Sequence, residues 1–321
     1  MGQGIGKLSS RTEKKSLPLD YIFLTRPIIL IPVWTFFLLG AYHAADITGK
    51  SIKNQLLLYG ILSFTALIGA VYIINQITDR ETDLANNKLF LIPRGIIKVK
   101  AAWTEAFILI TASLLTAALL LPGRFIIILI LSLILGLAYS IEPLRFKRRP
   151  VLDVASNALG NGILNTLAGW IVVSGRIEGW EILLPYPLAV ASVHLITTIA
   201  DTEGDRKNKL RTSGAVLGQR ATAVISLILM ALAAAAAIIV ENRAAFYASI
   251  FSLPFFLVPA FTKTKILPEN RILMPARIST LIFSIAACFI FKLYIPYLAA
   301  VLLLTRVYYK LRFHISYPAM K

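Results

Sequence analysis

Asn75, Asp79 and Asp83 stand four residues apart at the end of a long apolar run, and Asp201 and Asp205 repeat the interval at the end of another. A carboxylate at bilayer depth costs roughly 2.5–3.5 kcal/mol on insertion scales, so an acid kept there usually has a task. Carboxylates that must coexist need a cation, and hard divalent ions such as Mg²⁺ take oxygen ligands. On a helix the i, i+4, i+8 spacing puts Asn75, Asp79 and Asp83 on one face over about 12 Å. The pattern predicts a metal site at a membrane surface, suited to an anionic substrate. A solvated helix end with incidental acids is the ordinary alternative, since Arg80 and Glu81 are also charged. The apolar stretch 71–74 just upstream favours the functional reading. The second cluster contains Gly204, a potential helix breaker, and gains weight from the first.

Basic residues complete the set. Arg26, Arg94, Arg145 and Lys147, with Lys207 and Arg211 in reserve, could bind a diphosphate. Guanidinium forks match phosphate oxygens in bidentate fashion. Arg26 precedes Pro27 and Arg94 precedes Gly95, both at expected helix boundaries, whereas Arg148 and Arg149 suit headgroup contacts. Tyr139 could donate to a phosphate oxygen or set its ring against a developing cation, although tyrosine is common at membrane interfaces. Asn157, Asn161 and Asn165 share one helix face and either line a cavity or bond neighbouring helices. Trp170, His194 and Cys288 read as packing residues.

The elements that must carry these residues are membrane spans. The chain has 321 residues, of which 57% are hydrophobic and 15% charged, with a mean hydropathy of +0.75. Soluble domains average about 25% charged residues. Apolar runs long enough to cross a bilayer predict nine helices near 22–45, 55–78, 101–121, 124–141, 151–174, 182–200, 219–240, 244–262 and 276–304. The last is long and interrupted by Lys292 and Pro296. The expected organisation is a basic tail over 1–20, a transmembrane domain over 21–305, and a basic tail over 306–321. No removable signal peptide is expected at the start, because no short apolar core and cleavage site stand there.

Charge tests the arrangement. With the amino terminus in the cytoplasm, 23 basic residues fall on the cytoplasmic side and five opposite, as the positive-inside rule requires. Both acidic clusters and the 139–147 stretch then fall at cytoplasmic helix ends, able to converge on one cavity. Nine spans would put the carboxyl terminus outside, yet it carries Arg306, Lys310, Arg312 and Lys321. Either the last segment re-enters or the tail breaks the rule. The net charge of +17 lies in short loops, which argues for membrane orientation and phosphate binding and against nucleic acid. A single cysteine and three histidines without ligand spacing exclude disulfides and offer no thiolate or histidine metal site. No obligate protein partner is evident.

Taken together, Asn75-x-x-x-Asp79-x-x-x-Asp83, Tyr139-Ser140-x-x-Pro143-x-Arg145-x-Lys147 and Asp201-Thr-Glu-Gly-Asp205-Arg206 resemble the UbiA superfamily of intramembrane prenyltransferases. The resemblance runs from Arg26-Pro27 to about Gly218. It departs from the family at Gln76, where many members have Asp, and at Pro93-Arg94, which replaces the usual Arg-Pro pair.

The resemblance implies an all-α polytopic protein of about nine transmembrane helices around a central cavity, with a lateral opening to lipid and a cytoplasmic cap. It implies Mg²⁺-dependent transfer of an isoprenyl group from its diphosphate. Asn75, Asp79, Asp83, Asp201 and Asp205 would hold the metal. Arg26, Arg94, Tyr139, Arg145, Lys147, Lys207 and Arg211 would bind substrate. The expected acceptor is a small aromatic quinone precursor, and the alternative a glycerol-phosphate lipid or a carotenoid. The expected setting is a bacterial or archaeal cell membrane. A cation-coupled transporter would also place carboxylates and arginines in a helical bundle, but transporters keep them near the midplane.

Overall fold

The computed structural model describes residues 15–85, 91–207, 211–262, 269–315 and 317. Among them every regular element is helical. In lipid an open strand edge would leave backbone groups unpaired, while a helix satisfies its own.

Two short helices, α1 (Pro18–Leu24) and α4 (Arg80–Ala85), flank the long α2 (Pro27–Thr48) and α3 (Asn54–Thr78). α5 (Val99–Leu120) and α6 (Gly123–Ser140) form a hairpin. α7 (Leu152–Asn157), a π-helical segment (Ala158–Leu164) and α8 (Asn165–Ser174) then run on without a break. The second half holds α9 (Pro185–Lys207), α10 (Ser213–Leu217), α11 (Gln219–Ile239), α12 (Arg243–Phe261), α13 (Glu269–Ile290) and α14 (Tyr294–Phe313). Eight described helices are long and apolar enough to cross a membrane. The expected fifth span is the composite of α7, the π segment and α8.

The hydrophobic effect does little between helices in lipid, so small residues and polar contacts hold the bundle. A Cβ on Gly40 would collide with the Thr166 carbonyl, and one on Gly169 with the Phe37 carbonyl, so α2 and α8 meet backbone to backbone. Trp34 donates to Thr65 Oγ1 at 2.8 Å, Ser63 donates to the Ser113 carbonyl at 2.9 Å, and Ser192 to the Ser226 carbonyl at 2.6 Å. Outward-facing Leu119, Ile239 and Phe289 are more than three-quarters exposed, as lipid contact requires.

The interrupted segment over 276–304, open in the sequence between one bent helix and two pieces, is two helices, broken between Ile290 and Tyr294. α14 then turns back along α2. Tyr294 donates to the Ile31 carbonyl at 3.0 Å, Tyr297 packs edge-on against Trp34, and Tyr308 stacks on Phe23. At its end Arg312 pairs with the fully buried Asp20 at 2.9 Å, and Tyr308 donates to the same carboxylate at 2.7 Å. Of the two alternatives for the carboxyl-terminal charges, the structure shows the return: Arg312 lies at the end of the bundle that holds α1. α14 continues to Phe313, beyond the expected domain limit at 305.

Candidate active site

Asp79 caps α3 and separates it from α4, and two i→i+4 hydrogen bonds span the junction. Its amide donates to the Asn75 carbonyl at 3.0 Å, and the Asp83 amide donates to the Asp79 carbonyl at 2.8 Å. These two bonds link Asn75, Asp79 and Asp83 along the backbone across the junction of α3 and α4. Across from them the chain between α6 and α7 makes a tight turn, with Arg145 at φ +37° and a single 3₁₀ turn at Phe146–Arg148. This backbone aims both cations at one carboxylate. Lys147 Nζ lies 2.6 Å from one oxygen of Asp79, and Arg145 lies 3.3 Å from the other.

Arg145 is further held by Glu142 at 2.8 Å, and that hydrogen bond keeps the Glu142 carboxyl below its usual range. The Arg145 and Lys147 side chains are only 14% and 12% exposed. Burial lowers the Lys147 ammonium below its ordinary value, opposed by the charge of Asp79. Arg145 Nε is buried with no hydrogen-bond partner among the described residues. A buried donor without a partner calls for an explanation, and an anion is the chemistry that a guanidinium accepts.

One turn before Asp79, at Asn75, α3 borders a cavity of about 270 Å³. Arg26, Asn75 and Tyr139 line it, together with Tyr72 and Ser140. Arg26 sits at φ +58°, a left-handed conformation uncommon outside glycine that bulky residues keep mostly where the surroundings impose it. Asn75 donates to Ser140 Oγ at 3.1 Å, joining α3 to α6. Gln76, the departure from the family pattern, faces away: it is buried and donates to the Leu24 carbonyl at the end of α1.

The opposite wall is the π segment and its flanks. Asn165 donates to Asn161, and Asn161 to Asn157, at 3.3 and 3.1 Å. Both expected readings of this row hold at once, because Asn157 also reaches His194 on α9 at 3.3 Å. His194, expected only to pack, belongs to this polar row.

The remaining candidates are placed as follows. Asp201, Asp205 and Lys207 fall within the last turns of α9, but their side chains lie outside the described residues. Arg94 is exposed on the turn before Gly95, and Arg211 is exposed ahead of α10; neither lines the cavity. No group of three or more His, Cys, Asp or Glu residues suited to a metal occurs among the described residues. The oxygen donors of Asn75, Asp79 and Asp83 nonetheless suit a hard cation, and the unpartnered Arg145 donor suits the anion that such a cation would accompany.

One residue was missed from the sequence. Asp153, in the first turn of α7, is 2% exposed. Its carboxylate accepts from the Ser213 amide at 2.8 Å and from the Ser213 hydroxyl, and Ser213 Oγ in turn accepts from the Val151 amide. It thereby ties the start of α7 to α10, just after the second acidic cluster. The signal was present: an acid in the first turn of an apolar span. Asp153→Ala leaves the Ser213 amide buried without its acceptor, a penalty of about 1–3 kcal/mol. The expected result is a Tm several degrees lower and a donor affinity reduced several-fold, read by thermal unfolding and by diphosphate binding. Unchanged values in both would show that this tie positions nothing.

Comparison with known proteins bears on the family and the fold. The model of the UbiA prenyltransferase family matches residues 29–273. A lycopene elongase/hydratase from Haloarcula japonica is 29% identical over 64% of this chain and 67% of its own length. The bacteriochlorophyll synthase 34 kDa chain of Chloroflexus aurantiacus is 28% identical over 59% of this chain, a match spanning 65% of that protein. The chain thus spans about two thirds of the length of these relatives. A UbiA homologue from Archaeoglobus fulgidus, solved with GPP and Mg²⁺, superposes with a TM-score of 0.62 at 25% identity, over 85% of this chain and 99% of that one.

Proposed function

The chain belongs to the UbiA prenyltransferase family, and from that premise we propose that it transfers an isoprenyl group from an isoprenyl diphosphate to an acceptor with the help of Mg²⁺. The observation that carries this reading is the clasp of Asp79 by Arg145 and Lys147, one helical turn beyond Asn75, which lines the cavity. Two cations held by one carboxylate are already placed and desolvated for a more highly charged anion. Asn75, Asp79 and Asp83, with Asp201 and Asp205 of the second cluster, would hold the metal. Bound there, Mg²⁺ supplies charge stabilisation to the departing diphosphate.

The chain's own residues do the rest. Arg145 and Lys147 exchange part of their interaction with Asp79 for phosphate oxygens, and the Arg145 Nε donor gains a partner. Prearranged donors of this kind often contribute more to catalysis than any other single effect. Arg26 lines the cavity below and adds positive charge near the departing group. The apolar Ile68, Val71 and Leu135 surround the isoprenyl chain and keep water from the allylic cation. Asp201, Asp205, Lys207, Arg94 and Arg211 keep the roles expected for them, at the end of the bundle that the charge rule assigns to the cytoplasm.

The relatives are named for acceptors of several kinds, among them a lycopene elongase/hydratase, a probable homogentisate phytyltransferase and a digeranylgeranylglyceryl phosphate synthase, so the small aromatic acceptor and its non-aromatic alternative both stand. The test of the donor half is binding of radiolabelled geranylgeranyl diphosphate by the purified protein. Binding is expected to fall at least tenfold when Mg²⁺ is chelated and to return when it is restored. Equal binding with and without Mg²⁺ would remove the metal assignment.

A further inference from the structure

Asp20 is fully buried, and α14 reaches back to hold it. One carboxylate oxygen accepts from the Tyr308 hydroxyl at 2.7 Å and from Arg312 Nε at 3.1 Å. The other accepts from a second guanidinium nitrogen of Arg312 at 2.9 Å and from the Leu17 amide at 2.8 Å. We propose that this lock positions Arg26: acting through α1, Arg312 holds the Arg26 side chain in the donor cavity and so sets the affinity for the diphosphate. The inference rests on the transferase reading above.

The chemistry of the lock is the first reason. A buried ion pair is weak evidence of added stability, because apolar residues of the same volume often do as well. Its best-attested use is to fix one arrangement against others. A bidentate guanidinium fork on a carboxylate fixes angle as well as distance.

The second reason is what the lock grips. α1 has seven residues, too few for a helix to persist unsupported. Its place is set by its contacts. The Phe23 ring stacks on Tyr308 with centroids 3.7 Å apart, and Gln76 of α3 donates to the Leu24 carbonyl.

The third reason is the joint that follows. Arg26 stands two residues beyond α1 and directly before Pro27, at φ +58°. A residue before proline is steered towards extended backbone, and a bulky residue keeps the left-handed form only where its surroundings impose it. The Arg26 amide donates to the Phe23 carbonyl at 3.1 Å. Phe23 is therefore the link, with its ring on Tyr308 and its carbonyl on Arg26. Without α14 the joint is free to relax, and the Arg26 side chain turns from the cavity that it lines.

Asp20 and Arg312 both lie outside residues 29–273, the part of the chain that the family model matches. The lock is an addition at the two ends of the matched region.

The experiment measures Mg²⁺-dependent binding of radiolabelled geranylgeranyl diphosphate to full-length protein in detergent micelles. The lock is opened by Asp20→Asn with Arg312→Ala, which leaves neither charge stranded. Donor Kd is expected to rise at least fivefold, with a monodisperse size-exclusion profile showing that the protein is folded. Arg26→Ala alone is expected to raise Kd at least tenfold. Opening the lock in the Arg26→Ala protein is expected to change Kd by less than twofold, because the group it positions is gone. A milder pair, Tyr308→Phe with Arg312→Lys, keeps a cation beside Asp20 and should raise Kd two- to fourfold, again only where Arg26 is present. A Kd within twofold of the unaltered protein in both folded lock variants overturns the inference. So does an equal loss with and without Arg26, which is what general loosening of the bundle would give, or an Arg26→Ala protein that binds donor normally. Absence of Mg²⁺-dependent binding in the unaltered protein would instead bring down the transferase reading beneath it.

Discussion

Asp79→Ala is expected to lose prenyl transfer by at least about 100-fold, the scale on which single electrostatic groups act at a transition state. Two effects add. The substitution removes an oxygen from the proposed metal set, and it strands Lys147 and Arg145, whose side chains are only 12% and 14% exposed. Breaking a buried pair from one side costs about 3–5 kcal/mol in the fully buried limit, and Asp79 is 21% exposed, so the stability loss should fall below that range. The protein should therefore still fold, with a lowered Tm. Asp79→Asn keeps the shape and removes only the charge, and it should lose turnover with a smaller change in Tm. Initial rates and thermal unfolding of both variants decide the matter. Activity of Asp79→Ala within threefold of the unaltered protein would end the assignment of the site.

Gly169→Leu is expected to yield no folded protein. The hydrogen atoms of Gly169 face the backbone of α2 at Phe37 and Ala41, and Gly40 of α2 faces Thr166 of α8 in the same way. A side chain at either position meets backbone, which cannot rotate aside as a side chain can. The two helices would have to separate, losing the dispersion contacts that hold spans together in lipid. The effect would reach the site, because α2 begins at Arg26 and α8 begins at Asn165, both of which line the donor cavity. Size-exclusion profiles of detergent extracts check this. A monodisperse peak for Gly169→Leu at the position of the unaltered protein would show that the α2–α8 contact is less intimate than the structure has it.

The legible part of this protein was local. Acids four residues apart are expected on one helix face, and the backbone links Asn75, Asp79 and Asp83 by i→i+4 hydrogen bonds across the end of α3. The asparagine row at 157, 161 and 165 keeps its shared face even where the helix is π-helical, since an interval of four is close to one turn in either form. The extra residue per turn was not legible, because nothing in a four-residue interval distinguishes the two helix types. The return of α14 was foreshadowed only by a charge conflict. Lys292 and Pro296 marked the break, but the partner that α14 would find, the buried Asp20 of α1, lies nearly three hundred residues away.

By itself the sequence determined the membrane class, the helical content, the family, and which residues carry charge at the ends of the spans. It did so because crossing lipid constrains length and composition residue by residue, and because acids and bases there are too costly to be scattered. Only the tertiary structure decided who meets whom: Asp79 with Lys147 and Arg145, Asp153 with Ser213, Asn157 with His194. In water an amphipathic stripe tells which face of a helix turns inward. In lipid both faces are apolar, so rotation about the helix axis leaves little trace in the pattern. The rotation is settled by where glycines allow backbones to touch and by the few polar groups that must find each other once the helices have packed.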